Sequence, residues 1–215
     1  MLIRYPLVLK AVQRLAPVPP EQWARLEGFL KPRRLMKGRN FIEPGQPSSE
    51  AAICVSGLLR FYYTDAGGRE ATKAFRGPGE LVAAYAELLD KRPSRTTIEA
   101  LEDSELLVVR YDRVTALYRE HACWQELGRV IAEDHYRQRE RREQELLLNS
   151  ATERWQAFIK EQPELAARLP QKIIASYLGI TPVALSRISS SKRRTKKQQP
   201  QRRGIRREMA AVRRA

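Results

Sequence analysis

Apolar residues recur at three- and four-residue spacing toward both ends of the chain and gather in short runs between them. The pattern predicts helices flanking a β-rich middle. Leu7, Val8, Val12 and Leu15, then Trp23, Leu26, Phe29 and Leu30, predict short helices over 7–16 and 20–30. Between Arg33 and Arg110 come RLMKGRNFIEPG, AAICVSG, LLRFYYT, REATKAFR, RTTIEALE and SELLVVR, separated by the turns DAGG and GPGE. Many short β-branched and aromatic runs at nearly regular spacing predict a sandwich, barrel or roll.

After Tyr111 the pattern becomes helical, with Asp112 expected as the N-cap of VTALYRE. Residues 122–148 contain no Pro and one Gly, Gly128, so one helix of about 40 Å is expected at 1.5 Å per residue. That is longer than packing on its own domain requires. Trp124, Leu127, Val130 and Ile131 fall on one face of its first half, and this stripe is expected to make a homodimer contact. The second half, RQRERREQE, is polar all round, either solvated or paired through charges. Ser150 and Glu153 have the S-x-x-E form of a capping box, opening a helix with Trp155, Phe158 and Ile159. A domain boundary is expected near Asn149.

The segment 171–190, QKIIASYLGITPVALSRISS, matches a helix-turn-helix wherever that geometry is restrictive. Ala175 is small where two helices approach, and Gly179 supplies a left-handed turn residue four positions later. Ile174, Leu178, Ile180, Leu185 and Ile188 are apolar where the two helices share a core. Thr181 is an expected N-cap, and Pro182 occupies the first turn, where proline costs nothing. The second helix would then expose Val183, Ala184, Ser186 and Arg187, and the start of such a helix enters the major groove. Arg187, opposite Leu185 and Ile188, could reach guanine O6 and N7. An ordinary amphipathic helix pair shares part of this pattern. The small residue, glycine, cap, proline and five apolar positions together favour the DNA-binding motif.

Charge sharpens the picture. The formal net charge is +15, and residues 189–215 hold eleven Lys/Arg against one acid, Glu208. A tail of +10 attracts any polyanion, nucleic acid or anionic membrane alike. Its composition cannot bury a core, so 192–215 is expected to be disordered. The same composition could equally come from a shifted reading frame. Cys54 and Cys123 are the two cysteines; they make neither a CxxC pair nor a disulfide framework. A reducing, cytoplasmic setting fits. The start, MLIRYPLVLKAVQRLAP, does not read as a signal peptide, and no apolar stretch approaches the roughly 20 residues needed to span a bilayer. His121 and His135, both in helical sequence, are too few for a cupin-type metal site. A lone histidine near a helix start could also bind haem. With no P-loop or G-x-S-x-G motif, the chain is expected to be a non-enzyme without a cofactor.

IASYLGITPVALSRI resembles the helix-turn-helix of Crp/Fnr regulators. VSGLLRFYY, the GPGE turn, RTTIEALEDSELLVV and the helix containing SATERWQAF resemble that family in order and spacing, up to about residue 190. The resemblance implies an α+β chain. An N-terminal double-stranded β-helix, a jelly-roll-like sensor related to cyclic-nucleotide-binding domains, would occupy 1–121. A dimerisation helix over 122–148 and a helix-turn-helix domain over 149–191 would follow. The implied function is transcription regulation by a homodimer on double-stranded DNA, with RNA polymerase as a further partner and no membrane. The family's usual Arg, Glu and Arg base readers fall on Pro182, Val183 and Arg187, so the operator does not carry over. Thr181, Val183, Ala184, Ser186 and Arg187 are the expected DNA-binding residues.

In members that bind cyclic AMP, a Glu holds the ribose and an Arg pairs with the cyclic phosphate. Counting without gaps places Ala84 and Ser94 there, lacking both groups. Arg95 is one residue away, which on a strand turns it to the other face. A gapped alignment would use Glu87 and Arg95, followed by Thr96 and Thr97; otherwise Glu87 and Arg95 are surface charges. Tyr85, Glu87, Arg95 and Thr96 are therefore the candidate ligand residues, with the effector unknown and cyclic AMP not expected. The alternative reading is a regulatory module acting on a protein partner, with impaired DNA binding.

Overall fold

The computed structural model describes residues 5–190. The N-terminal helices are α1 (Pro6–Gln13) and α2 (Pro20–Phe29), each with proline in its first turn, where the missing N–H is no loss. The strands are β1 (Lys31–Leu35), β2 (Asn40–Ile42), β3 (Glu50–Ser56), β4 (Leu59–Thr64), β5 (Glu70–Arg76) and β6 (Leu81–Val82). A short helix α3 (Tyr85–Leu89) precedes β7 (Thr97–Ala100) and β8 (Ser104–Arg110). Then come α4 (Tyr111–Leu117), α5 (Ala122–Leu148), α6 (Ala151–Glu161), α7 (Pro163–Arg168) and α8 (Gln171–Leu178). The last described helix is α9 (Pro182–Ser190). The basic residues 191–215, on which the expected disorder falls, lie outside the described residues.

Two four-stranded antiparallel sheets, ordered β1-β8-β3-β6 and β2-β7-β4-β5, form the roll that the strand spacing predicts. The run SELLVVR shows why β8 is apolar on both sides. Leu106 and Val108 face the core between the sheets, while Leu107 and Val109 face a second core outside the first sheet. Leu59, Phe61, Val82 and Ile98 complete the inner core; Val8, Trp23, Leu117 and Trp124 cover the outer one. At the β3–β4 turn Gly57 has φ +98°, and a Cβ there would meet Ser104 Cα at 2.7 Å. The tight passage against β8 leaves room for glycine only.

The chain divides into two compact units, Met1–Arg142 and Glu143–Ala215. The long helix α5 runs Ala122–Leu148 as expected, but its apolar stripe has another destination. Trp124 and Leu127 are buried in the first unit's own core, with Ile131 packed against it. Trp124 and Leu127 are therefore not available to a partner, while Val130 and Ile131 are half-buried. Full burial of such side chains contributes roughly 1.5–3 kcal/mol each, so this stripe anchors α5 to its own domain. Gly128 explains itself here: a Cβ would fall 2.7 Å from the Tyr118 hydroxyl oxygen. Beyond it the helix surface is laced by ion pairs of Arg129 with Glu126 and Glu133, and of Arg137 with Glu133.

One cap is corrected. Helix α4 starts at Tyr111 with Arg110 as its N-cap, so Asp112 lies inside the first turn. Its carboxylate accepts hydrogen bonds from the Arg110 guanidinium and a backbone one from Arg113. The guanidinium bond, aided by the Arg110 charge, holds Asp112 below the ordinary carboxylate range.

Candidate nucleic-acid interface and ligand pocket

In the second unit, the expected capping box forms: the Glu153 N–H donates to Ser150 Oγ at 3.3 Å, and the Ser150 N–H donates to Glu153 Oε2 at 2.8 Å. Helix α6 then carries Phe158, buried, into a ring cluster with Trp155 and Tyr177. Ala175, Ile174, Leu178 and Leu185 are buried, as a shared helix-turn-helix core requires.

The turn between α8 and α9 is built by backbone chemistry. Gly179 adopts φ 68°, ψ 33°, the left-handed conformation that costs other L-residues energy. Its N–H donates to Ser176 O at 3.2 Å, and the Ile180 N–H donates to Ala175 O at 3.0 Å. These two bonds make a Schellman motif and satisfy carbonyls at the end of α8. Thr181 Oγ1 then accepts the Ala184 N–H at 3.1 Å, capping α9 with Pro182 in its first turn. The helices bend 99° across the break, within the roughly 90–120° of a helix-turn-helix pair. Thr181, Val183, Ser186 and Arg187 are exposed on α9, whereas Ala184 is half-buried at the flank.

One determinant has no signature in the sequence. Arg154, on α6, donates through Nε to Leu178 O at 2.9 Å and through Nη1 to Asn149 O. A third helix thereby fastens the end of α8.

In the first unit, the ligand candidates part company. Arg95 is exposed, as one-residue alternation predicts, while Ser94 and Thr96 on either side are buried. The Ser94 hydroxyl donates to Thr96 O at 2.8 Å and accepts the Thr96 N–H at 3.1 Å. The loop 45–48 holds both walls of this region: Gly45 N–H donates to Ser94 O, Ser94 N–H to Gln46 O, and the Ser48 hydroxyl to Ala84 O. Glu87 departs from the surface-charge expectation. It is 3 % exposed, and its Oε2 has no hydrogen-bond partner; neither has Oγ1 of the fully buried Thr96. Tyr85 stacks on His135 of α5, ring centroids 4.9 Å apart. Burial, then the charge of Arg76, holds His135 below the ordinary histidine value.

Glu87 and Thr96 thus each bury a polar side-chain atom without a partner. Buried polar groups without partners are rare and call for a donor. Cys54 has its thiol pushed up to about 12 by burial first and Glu80 second, so it stays protonated. Among the described residues no three His, Cys, Asp or Glu side chains converge as a metal-ligand set. Among those residues, too, no single helix is long and apolar enough to cross a membrane.

Comparison with known proteins agrees with this layout. Residues 32–121 match the cyclic nucleotide-binding domain. The chain is 31 % identical over 100 residues to the cyclic AMP receptor protein of Thermus thermophilus, a match spanning 46 % of either chain. It is 26 % identical over 186 residues to transcriptional regulatory protein btr of Bordetella pertussis, covering 80 % of this chain and 76 % of that one. A solved structure from Eubacterium rectale, assigned to the crp/fnr family of transcriptional regulators, superposes with TM-score 0.67 at 17 % identity. It covers 80 % of this chain and 82 % of its own. Around residues 32–121 the chain is similar over most of its length to a transcriptional regulatory protein and shares the fold of the crp/fnr-family structure.

Proposed function

We propose that this chain is a cytoplasmic, homodimeric DNA-binding transcription regulator whose α9 reads base edges and whose roll does not take cyclic AMP. The observation that carries the reading is the turn itself. A left-handed Gly179, a Schellman pair, a Thr181 cap and a 99° bend hold a short helix with its N-terminal half exposed. Such a helix end presents Thr181, Val183, Ser186 and Arg187 toward a major groove, with Ala184 at the edge. Arg187 is the one side chain among them able to make a bidentate bond to guanine. The relative named a transcriptional regulatory protein supports the DNA-binding part of this reading.

Dimerisation rests on what α5 leaves uncovered once Trp124 and Leu127 are in the core. Tyr136 and, further along, Leu147 and Leu148 are exposed apolar side chains on that 27-residue helix. Cyclic AMP is disfavoured because Ala84 and Ser94 supply neither carboxylate nor cation, and Arg95 faces away from buried Ser94 and Thr96. The test is selection of bound duplexes from random DNA, followed by titration of the selected operator. Arg187→Ala should weaken operator binding by about 1–3 kcal/mol, roughly 5- to 150-fold, and leave binding to random DNA unchanged. Failure to enrich any sequence overturns the proposal; equal losses on both DNAs make Arg187 a phosphate contact.

A further inference from the structure

A cavity of about 90 Å³ lies in the first unit, outside the roll, between the outer face of the β1-β8-β3-β6 sheet and the helices. Its walls include Ile53 and Leu81 from the sheet, Tyr85 from α3, Val114 from α4, Tyr118 just after it, and Ile131 from α5. No charged residue lines it. Close-packed interiors hold few voids larger than a water molecule, so a space of this size where the sheet meets five helices, α1 to α5, calls for an occupant.

The lining selects that occupant. Water needs two to four polar partners in such a space, and the polar side-chain groups of the lining are the Trp124 indole N–H, already donated to Gln22, and tyrosine hydroxyls, of which Tyr111 and Tyr118 bond to each other. The volume is below the roughly 150 Å³ of a dry cavity known to accept benzene, and about three times one water's share of liquid. One small ring is the upper limit. Tyrosine faces favour aromatic partners in stacked or edge-to-face geometry, and the Tyr111–Tyr118 pair can extend its hydrogen-bond chain to one added hydroxyl. Gly128 is part of the wall, and its missing side chain is what lets the Tyr118 hydroxyl stand there. We infer that this cavity is a binding site for a small aromatic alcohol, of the phenol class, whose lining includes neither Glu87 nor Thr96. An anionic ligand is excluded because no cation faces the space. A ligand here would touch α3 and α5 together, the two helices already joined by the Tyr85–His135 stack.

The site does not depend on DNA reading, so the two proposals fail separately. The experiment is calorimetric titration of the full chain with phenol and with toluene as probes. Phenol should bind saturably, once per chain. Val114→Phe, which fills the cavity, should weaken phenol binding at least tenfold. Tyr118→Phe should weaken phenol at least fivefold and leave toluene unchanged, and Glu87→Gln should leave phenol unchanged. Circular dichroism reports whether each variant folds; if Val114→Phe does not, Leu81→Phe fills the space from the sheet side and answers the same question. Absence of saturable phenol binding to the unaltered chain overturns the inference. So does binding that survives both filling substitutions, or that is lost in Glu87→Gln.

Discussion

Replacing Gly179 with alanine tests whether the turn geometry is the seat of DNA reading. The residue sits at φ 68°, ψ 33°, where a Cβ costs roughly 1–2 kcal/mol. Steric crowding adds little, because the new Cβ would lie 3.3 Å from Leu146 Cδ2, the end of a flexible side chain. Alanine also stiffens the unfolded chain, a gain of about 0.4–1 kcal/mol where the backbone is compatible, but a left-handed site forfeits that benefit. The net expectation is a loss of about 1–2 kcal/mol, or roughly 5- to 30-fold in the opening equilibrium. Asparagine, which tolerates the left-handed region, should lose less than half as much. Amide hydrogen exchange by mass spectrometry on the full chain separates this from global unfolding. Exchange over 171–190 should accelerate by the stated factor, with the roll unchanged and operator affinity lowered in the same order, Ala below Asn below Gly. Unchanged exchange in Gly179→Ala, or equal damage from Ala and Asn, would refute the argument that backbone conformation holds the turn.

Three further outcomes follow from the same structure. Calorimetry with cyclic AMP should show no saturable heat, and binding that vanished in Glu87→Gln would establish the pocket that the exposed Arg95 argues against. His135 is neutral in the folded unit, held low by burial first, then by Arg76, with Lys73 adding and Asp134 opposing. Its contribution is therefore intact above its ordinary value of 6.5 and declines as pH falls below that toward the lower folded value. Urea midpoints between about pH 5 and 8 should fall on acidification in the native chain and fall less in His135→Phe, which keeps a ring against Tyr85. Deleting residues 191–215 removes ten net positive charges; each phosphate that the tail no longer neutralises should flatten log K against log salt by roughly 0.9. Anisotropy titrations should then show weaker random-DNA binding with the ranking of operator variants preserved, because bases are read from α9.

How far the sequence alone could carry these conclusions depended on the kind of constraint. The turn was legible because its requirements are chemical and local: a left-handed residue, a cap and a tolerated proline each name a short set of amino acids, and Gly179, Thr181 and Pro182 belong to them. The strands were legible from runs such as SELLVVR, whose alternation fits two covered faces. Periodicity was blind to what covers a face. Trp124 and Leu127 form a stripe whether the neighbour is a second chain or the molecule's own sheet, and the second proved true. Glu87 escaped because its burial is decided by a five-residue helix between distant strands. Asp112 misled because a nearby guanidinium competes for the same carboxylate. Arg154 left no pattern at all, since its two carbonyl partners are backbone atoms of any residue.

That arginine sets the size of the smallest portable reader. A peptide spanning α8, the turn and α9 would carry every residue proposed to read bases, yet the carbonyl at Leu178 would lose its donor and the ring of Tyr177 its partner Phe158. Fragments excised for transplantation onto another scaffold should therefore begin at Asn149, which keeps both carbonyl acceptors of Arg154 and the Ser150 cap that starts α6.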